Sequence, residues 1–170
     1  MNCLNCGAPM ELFARRRYYF CTFCGSFSFI DAPAVHGVRV LERPVPSPDC
    51  PLCRAPLATA LLDEAFDVEH CDRCRGILLA RRAFGEAVTR RRARESGDPA
   101  PPVPLDPREL TRVLACPSCH APLDVHPYYG PGNVVIDSCQ RCDLIWLDFG
   151  ELEQITEAGG RDRGWRVSNR

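Results

Sequence analysis

Short apolar segments along the 170-residue chain fall into three pairs. In each pair, two segments of alternating or continuous apolar residues flank a turn rich in charged residues or glycine, which is the pattern of a β-hairpin. The paired segments are 9–13 with 17–20, 56–62 with 66–70, and 122–128 with 134–138. The pattern therefore predicts three small antiparallel hairpins.

Three further segments carry helix signals. The pattern predicts a helix over residues 80–95, and a capping box from Asp106 to Glu109 predicts a short helix over residues 107–114. Asp148 and Glu151 form another capping box, which opens a helix with its apolar residues on one face. On the strand before that helix, we expect one of Trp146 and Leu147 to point inward and the other outward.

Cysteines bracket every hairpin. All twelve fall into six Cys-x-x-Cys pairs, at 3/6, 21/24, 50/53, 71/74, 116/119 and 139/142. The second cysteine of alternate pairs opens nearly the same phrase three times, as CGAPM, CRAPL and CHAPL. We interpret this phrase as the exit from a metal-binding turn, because alanine is small and proline marks the edge of a strand. Met10, Leu57 or Leu123 then enters a small core.

The cysteine spacing points to metal sites. A Cys-x-x-Cys turn directs both sulfurs to one side, and two such turns facing each other form a tetrahedral pocket of four sulfurs that suits zinc and also iron. The predicted ligand sets are Cys3, Cys6, Cys21, Cys24 (site 1), Cys50, Cys53, Cys71, Cys74 (site 2) and Cys116, Cys119, Cys139, Cys142 (site 3). Because units this small bury little apolar surface, we expect three structural Zn²⁺ ions, with iron as a substitute.

The predicted fold class is a small, metal-stabilised, β-rich protein with three four-cysteine zinc ribbons and short helices. Its predicted parts are zinc ribbon 1 at 1–32, an extended linker at 33–47, zinc ribbon 2 with a C-terminal basic helix at 48–95, a Pro-rich linker at 96–106, a short helix plus zinc ribbon 3 at 107–160, and a flexible tail at 161–170. Proline-rich segments are semi-rigid spacers, so we expect separately folded ribbons.

The expected cellular compartment and the net charge of the protein limit its possible functions and partners. The first residues lack a basic and apolar export signal, and runs such as GILLA fall far short of the roughly 20 apolar residues that cross a bilayer. We therefore expect a cytoplasmic protein with reduced thiols and no membrane association. The formal charge is −1, and three zinc ions bound by four thiolates each would add about six negative charges, which opposes nucleic-acid binding outside local arginine patches.

The third unit, CPSCHAPLDV…VVIDSCQRCDLIWLDFGELEQI, resembles the bacterial transcription factor IIB-type zinc ribbon family. The usual family pattern is C-P-x-C, a hairpin, then C-x-x-C-x-G-[IV]-W-L-D-x-G-E-L-E. The best match covers residues 116–155, with Leu144 where the family often has glycine. Residues 50–79 match more weakly: they keep Gly76, but Leu78, Leu79 and the following Ala80 stand in place of Trp-Leu-Asp. Residues 3–31 resemble a generic ribbon. The resemblance implies the fold and the metal, and suggests a link to transcription.

These features predict a zinc-binding adaptor without enzymatic activity, because no motif supplies a nucleophile, an acid–base pair or an open metal position. We expect a protein partner, with nucleic acid as the alternative. The arginine clusters that could contact it are interpreted first as a solvated helix end and as part of an ordinary strand. The candidate contacts are Arg15, Arg16, Arg17, Arg81, Arg82, Arg90, Arg91, Arg92 and Arg94. The rival function is a thiol/zinc redox-responsive switch. The sequence leaves the oligomeric state open.

Overall fold

A computed structural model describes residues 1–14, 17–30, 37–42, 46–96, 98–99, 101 and 104–160. It confirms the predicted β-rich class with short helices and three cysteine quartets. The predicted flexible tail at 161–170 lies outside the described residues, as do parts of both predicted linkers.

The first unit, called ribbon one below, forms a three-stranded antiparallel sheet. Its strands are β1 (Glu11–Phe13), β2 (Tyr18–Phe20) and β3 (Phe27–Phe29), in the order β1-β2-β3. The predicted hairpin is therefore present, and a third strand follows its second cysteine pair. Aromatic rings hold this sheet together: Tyr18 is stacked on Phe13 with centroids 5.3 Å apart, and it meets Phe27 edge-on at the same distance.

The second and third units, called ribbon two and ribbon three, share one seven-stranded antiparallel sheet. Its strands are β4 (Val38–Glu42), β5 (Ala58–Leu62), β6 (Phe66–His70), β7 (Ile77–Ala80), β8 (Asp124–Pro127), β9 (Val135–Cys139) and β10 (Leu144–Leu147), in the order β4-β5-β6-β7-β10-β9-β8. Both predicted hairpins are present. Pro127 lies in the edge strand β8, where the missing N–H is tolerated.

Ribbons two and three join where β7 pairs with β10, with Leu78 opposite Trp146 and Leu79 opposite Ile145. This differs from the expectation of separately folded ribbons joined by a spacer. The physical reason is that β7 and β10 are apolar at nearly every position, so each strand has two faces to bury. Pairing the strands buries those faces in one body, which we call the fused pair.

Two apolar clusters cover the two faces of the fused pair. On one face, the helices pack on Leu79, Ile145 and Leu147. On the other face, Trp146 and Leu78 lie among cysteines of the second and third quartets in a group that we call the junction cluster. Trp146 and Leu147 do point to opposite faces, as predicted. The expectation that one of them points outward is wrong, because both faces are covered and both side chains are fully buried.

One of the two α-helices begins at a different residue from the one predicted. Helix α1 (Arg81–Arg94) agrees with the predicted 80–95, whereas α2 (Glu151–Glu157) begins after Gly150 and not at the predicted cap. Half of that capping box forms: the Glu151 carboxylate accepts from the Asp148 amide at 2.7 Å. The Asp148 carboxylate also accepts from the Trp146 indole and from Arg112. Within the described part of the chain, no helix has the length and apolar character needed to span a membrane.

The first predicted linker contains a strand, and the segment after the second linker contains a short turn. Residues Val38–Glu42 of the first linker pair with β5 as the edge strand β4, and Val38 packs against the apolar cluster that lies under the helices. The helix predicted over 107–114 is only a 3₁₀ turn at Glu109–Thr111. Asp106 accepts from the amide of Arg108 at 3.0 Å, and the backbone becomes extended at Arg112, whose guanidinium donates to Asp137 and Asp148. This buried ion pair stops the helix.

Candidate metal centres

The six Cys-x-x-Cys turns share one backbone geometry. In five of them the amide of the residue after the second cysteine donates to the carbonyl of the first cysteine at 2.7–3.0 Å. That residue has a positive φ in all six turns: Gly7, Gly25, Arg54, Arg75, His120 and Asp143. A left-handed residue at this position reverses the chain tightly, so both sulfurs of each turn point to the same side.

The repeated Ala-Pro phrase closes each metal turn on its own flank. The carbonyls of Ala8, Ala55 and Ala121 accept from the amides of the first cysteines, each at 2.8 Å. The prolines that follow form isolated antiparallel bridges with the residues just before those cysteines. The last residue of the phrase enters the core in ribbons two and three, where Leu57 and Leu123 are buried, whereas Met10 is only half-buried.

The turns bring the twelve cysteines into the three predicted quartets, and within each quartet all sulfurs lie within 4.8 Å of one another. The shortest Sγ–Sγ distances are 3.5 Å in site 1 (Cys6 to Cys21), 3.4 Å in site 2 (Cys53 to Cys71) and 3.6 Å in site 3 (Cys119 to Cys139). All twelve cysteines are free thiols. Each quartet therefore offers four sulfur ligands around one centre.

The electrostatics of the quartets call for a cation. In site 1, the Ser26 hydroxyl lowers the pKa of Cys24 to about 5. The Ala8 amide lowers the pKa of Cys6, but the neighbouring sulfurs of Cys24 and Cys21 outweigh it and raise that pKa to about 12. In site 3, the Ala121 amide lowers the pKa of Cys119 to about 7, and the sulfur of Cys119 in turn raises the pKa of Cys142 to about 12. Four crowded thiolates repel one another, so a bound cation is needed to ionise all four.

Comparison with protein families identifies two of the three units. A family model described as transcription factor zinc-finger matches residues 49–87 and 115–158. Ribbons two and three are similar to transcription factor zinc-fingers, as the sequence resemblance predicted, and we call them the two zinc-fingers below. Neither curated proteins nor solved structures gave a match to the chain.

The two zinc-fingers shield their sulfurs more than ribbon one does. Three of the four cysteines in the second quartet are buried, and backbone amides of Cys53 and Cys74 donate to the sulfurs of Cys50 and Cys71 at 3.5 Å. In contrast, Cys6 of ribbon one is the one exposed cysteine among the twelve. The first quartet is therefore the most accessible to solvent.

The predicted arginine contacts are dispersed rather than gathered in one patch. Arg15 and Arg16 lie outside the described residues, and Arg17 is exposed at the ribbon-one turn. On α1, Arg91 pairs with Asp63 at 2.8 Å and with Glu153 at 3.1 Å, and Arg92 donates to the Ile155 carbonyl at 2.7 Å.

Among the remaining α1 arginines, Arg81 is half-buried, whereas Arg82, Arg90 and Arg94 are exposed. Arg81 pairs with Asp143, Arg82 pairs with Glu86, and the Arg90 guanidinium lies 4.8 Å from the centre of the Phe66 ring. Arg94 is exposed at the end of the helix. Arg81, Arg91 and Arg92 are thus part of the packing of the zinc-fingers, whereas the other candidate arginines that the structure describes are exposed.

Sequence reasoning missed the buried ion pair of Arg112 with Asp137 and Asp148. Asp137 and Asp148 are almost fully buried, and Arg112 donates to both carboxylates. Asp148 also accepts from the Trp146 indole at 2.7 Å. One signal was available, since Asp137 interrupts an apolar strand that is buried at every position, and buried carboxylates require a partner.

A groove of about 260 Å³ lies between ribbon one and the segment before ribbon three. We call it the aromatic groove. Its floor includes Phe13, Tyr18, Phe20, Phe27 and Leu52, and Glu11, Asp106, Arg108, Glu109 and Arg112 also line it. Arg108 pairs with both Asp106 and Glu11. Three carboxylates and two guanidinium groups thus line the groove together with its apolar side chains.

Proposed function

We propose that the chain is a zinc-stabilised adaptor that binds a protein partner through ribbon one. One observation carries the proposal: the two outermost apolar side chains of ribbon one lie on its metal turns and point into solvent. Leu4 is 96% exposed and Phe23 is 87% exposed. The zinc-fingers have Arg73 and Arg141 at the position of Phe23. Exposed apolar groups on a rigid turn are typical of a protein interface.

Zinc is the metal that the quartets suit best. Tetrahedral zinc with Zn–S distances of about 2.3 Å has sulfurs about 3.8 Å apart, close to the 3.4–3.6 Å between paired sulfurs here. An all-thiolate tetrahedral site also accommodates iron, but zinc adds no redox chemistry. When bound, zinc would stabilise the turns by neutralising the thiolates. Four protein ligands leave no coordination position for water, which is why we propose no catalytic role.

A protein partner agrees better with the charges than nucleic acid does. Arg81 and Arg91 of α1 pair with carboxylates of the zinc-fingers, which reduces the basic surface that α1 offers to phosphates. Zinc bound to three thiolate quartets would leave the protein more acidic still. The transcription factor description of the family suggests transcription as the setting, in a reducing compartment such as the cytoplasm.

The test is capture of partners from native extract by the full chain and by the variant Leu4→Ser/Phe23→Ser. The variant removes the exposed apolar groups but no cysteine, so its zinc content should match the wild type. We expect the wild type to retain a protein that survives nuclease treatment and that the variant loses. Arg141→Ser, on the equivalent turn of ribbon three, is the matched control and should retain it. Equal capture by both variants, or capture of nothing, would contradict the proposal.

The exposure of Cys6 favours a second candidate function, a thiol/zinc redox-responsive switch. Two zinc-bound thiolates would be oxidised by one hydrogen peroxide to a disulfide and two hydroxide ions, releasing zinc. Mild peroxide followed by a reductant should then release and restore zinc at ribbon one. Retention of all zinc under peroxide would exclude the switch and leave the adaptor unaffected.

A further inference from the structure

Ribbon one is attached to the fused pair through its metal-binding half. The Arg73 guanidinium of ribbon two donates to the carbonyl oxygens of Cys24 at 3.2 Å and Gly25 at 2.8 Å. These carbonyls belong to the second metal turn of ribbon one. The position of the attachment point is therefore set by the same turn that holds the metal ligands Cys21 and Cys24.

The strand after this turn supplies further contacts, beside the exposed pair of Arg108 with Glu11. The Arg75 guanidinium lies 4.0 Å from the centre of the Phe29 ring, and Phe29 meets Phe149 of ribbon three edge-on at 4.9 Å. Phe27 packs against the junction cluster. The three contacts join ribbon one to both zinc-fingers, and all of them depend on the course of β3 directly after the metal turn.

Ribbon one has little else to hold its shape. Its strands are three residues long, and only Cys3, Tyr18 and Cys21 are buried among its described residues. A unit with so small a core depends on its metal for folding. The fused pair differs, because its seven strands and two helices enclose two shared clusters.

We propose that the first metal site is a latch: loss of its metal ion releases ribbon one from the fused pair, which itself stays folded. The exposed Cys6 makes this site the first to give up its ion. Release would uncover Phe149, Arg75 and the part of the junction cluster under Phe27. The inference takes from the proposed function only that the quartets hold metal, and it requires neither a partner nor oxidation.

The test combines graded chelation of the zinc-loaded full chain with hydrogen exchange followed by mass spectrometry. As the first of three zinc equivalents leaves, we expect peptides from residues 1–30 to lose protection. Peptides containing Arg73–Arg75 and Phe149 should lose protection at the same chelator concentration. Peptides from β5, β6, β9 and α1 should remain protected until the later equivalents leave.

Two variants separate the latch from simple metal loss. Arg73→Ala removes the hydrogen bonds to Cys24 and Gly25 but no ligand, so it should keep three zinc equivalents while the contact peptides exchange as in the metal-depleted wild type. Arg141→Ala, at the same place in ribbon three, should leave exchange unchanged. Simultaneous loss of all three equivalents, or loss of the first with the contact peptides still protected, would overturn the latch. A folded protein that binds no metal at all would instead overturn the proposed metal function.

Discussion

Gly76 tests the junction between the two zinc-fingers most directly. A Cβ at position 76 would lie 2.3 Å from Cζ2 and 2.7 Å from Cη2 of Trp146, and 2.9 Å from the carbonyl oxygen of Leu147. Carbon atoms in favourable contact are about 3.5–4.0 Å apart, so Gly76→Ala must displace the indole or the backbone of β10. The indole has nowhere to move, because it is fully buried and donates to Asp148 at 2.7 Å.

The structure also sets the size of the effect. Overpacking of a dense core costs about 1–3 kcal/mol, and we expect the upper part of this range for Gly76→Ala because a backbone oxygen is involved. Trp146→Leu alone should cost about 2–4 kcal/mol through the cavity it leaves. Because leucine vacates the space that the new Cβ needs, the double variant should cost at least about 1 kcal/mol less than the sum.

The assay is urea unfolding of the zinc-loaded variants, with zinc content measured in each. Gly150→Ala is the matched control: its φ is +84°, but nothing lies within 4 Å of its Cβ, so it should cost only the left-handed backbone term of about 1 kcal/mol. Wild-type stability of Gly76→Ala, or strict additivity in the double variant, would refute the packing of Trp146 against Gly76.

Three further predictions concern charge and metal. Arg112→Ala leaves the buried carboxylates of Asp137 and Asp148 without their cation, so it should cost about 3–5 kcal/mol in thermal or urea unfolding; an unchanged midpoint would contradict the ion pair. Arg91→Ala breaks a largely buried network and should cost about 2 kcal/mol, whereas the exposed Arg94→Ala should stay within about 0.5 kcal/mol; equal costs would contradict this difference. Complete chelation under reducing conditions should abolish the β-sheet circular dichroism, and zinc should restore it, since each structural site contributes on the order of 10–16 kcal/mol of apparent binding free energy.

The sequence was informative wherever the structure depends on local patterns. Hairpins follow from alternation over a few residues, and the quartets follow from the spacing of cysteines, so both were predicted correctly. The positive φ of the residue after each second cysteine is also a local feature, because it belongs to the Cys-x-x-Cys turn itself. Two local predictions near the sites failed. Helix α2 does not begin at the predicted cap Asp148, and the helix over 107–114 does not form because Arg112 leaves the helical path to reach two buried carboxylates.

Long-range contacts were harder to predict. The pairing of β7 with β10 joins residues more than sixty positions apart, and no local pattern specifies the partner of an edge strand. One signal was present: ILLA and LIWL are continuous apolar runs, which are typical of strands covered on both faces. The arginines of α1 illustrate the same difficulty, since a basic run has the same sequence whether its charges face solvent or pair with Asp63 and Glu153.

Each zinc-finger departs from the family pattern, and the residues that differ fit one another across the junction between β7 and β10. In the antiparallel register, Gly76 and Trp146 are diagonal neighbours, and by the same relation Leu144 and Leu78 are diagonal neighbours. Where the tryptophan is present, its diagonal position is glycine, because nothing larger fits beneath the indole.

At the second diagonal, leucine replaces the family tryptophan at Leu78, and leucine replaces the family glycine at Leu144. Both side chains pack in the same cluster. On the first diagonal a tryptophan lies beside a glycine, and on the second diagonal two leucines lie beside each other. The two pairs fill similar volumes. Each zinc-finger alone would therefore make only half of these packing contacts. The two departures from the family pattern are therefore best understood together, as one solution to packing two copies of the motif edge to edge.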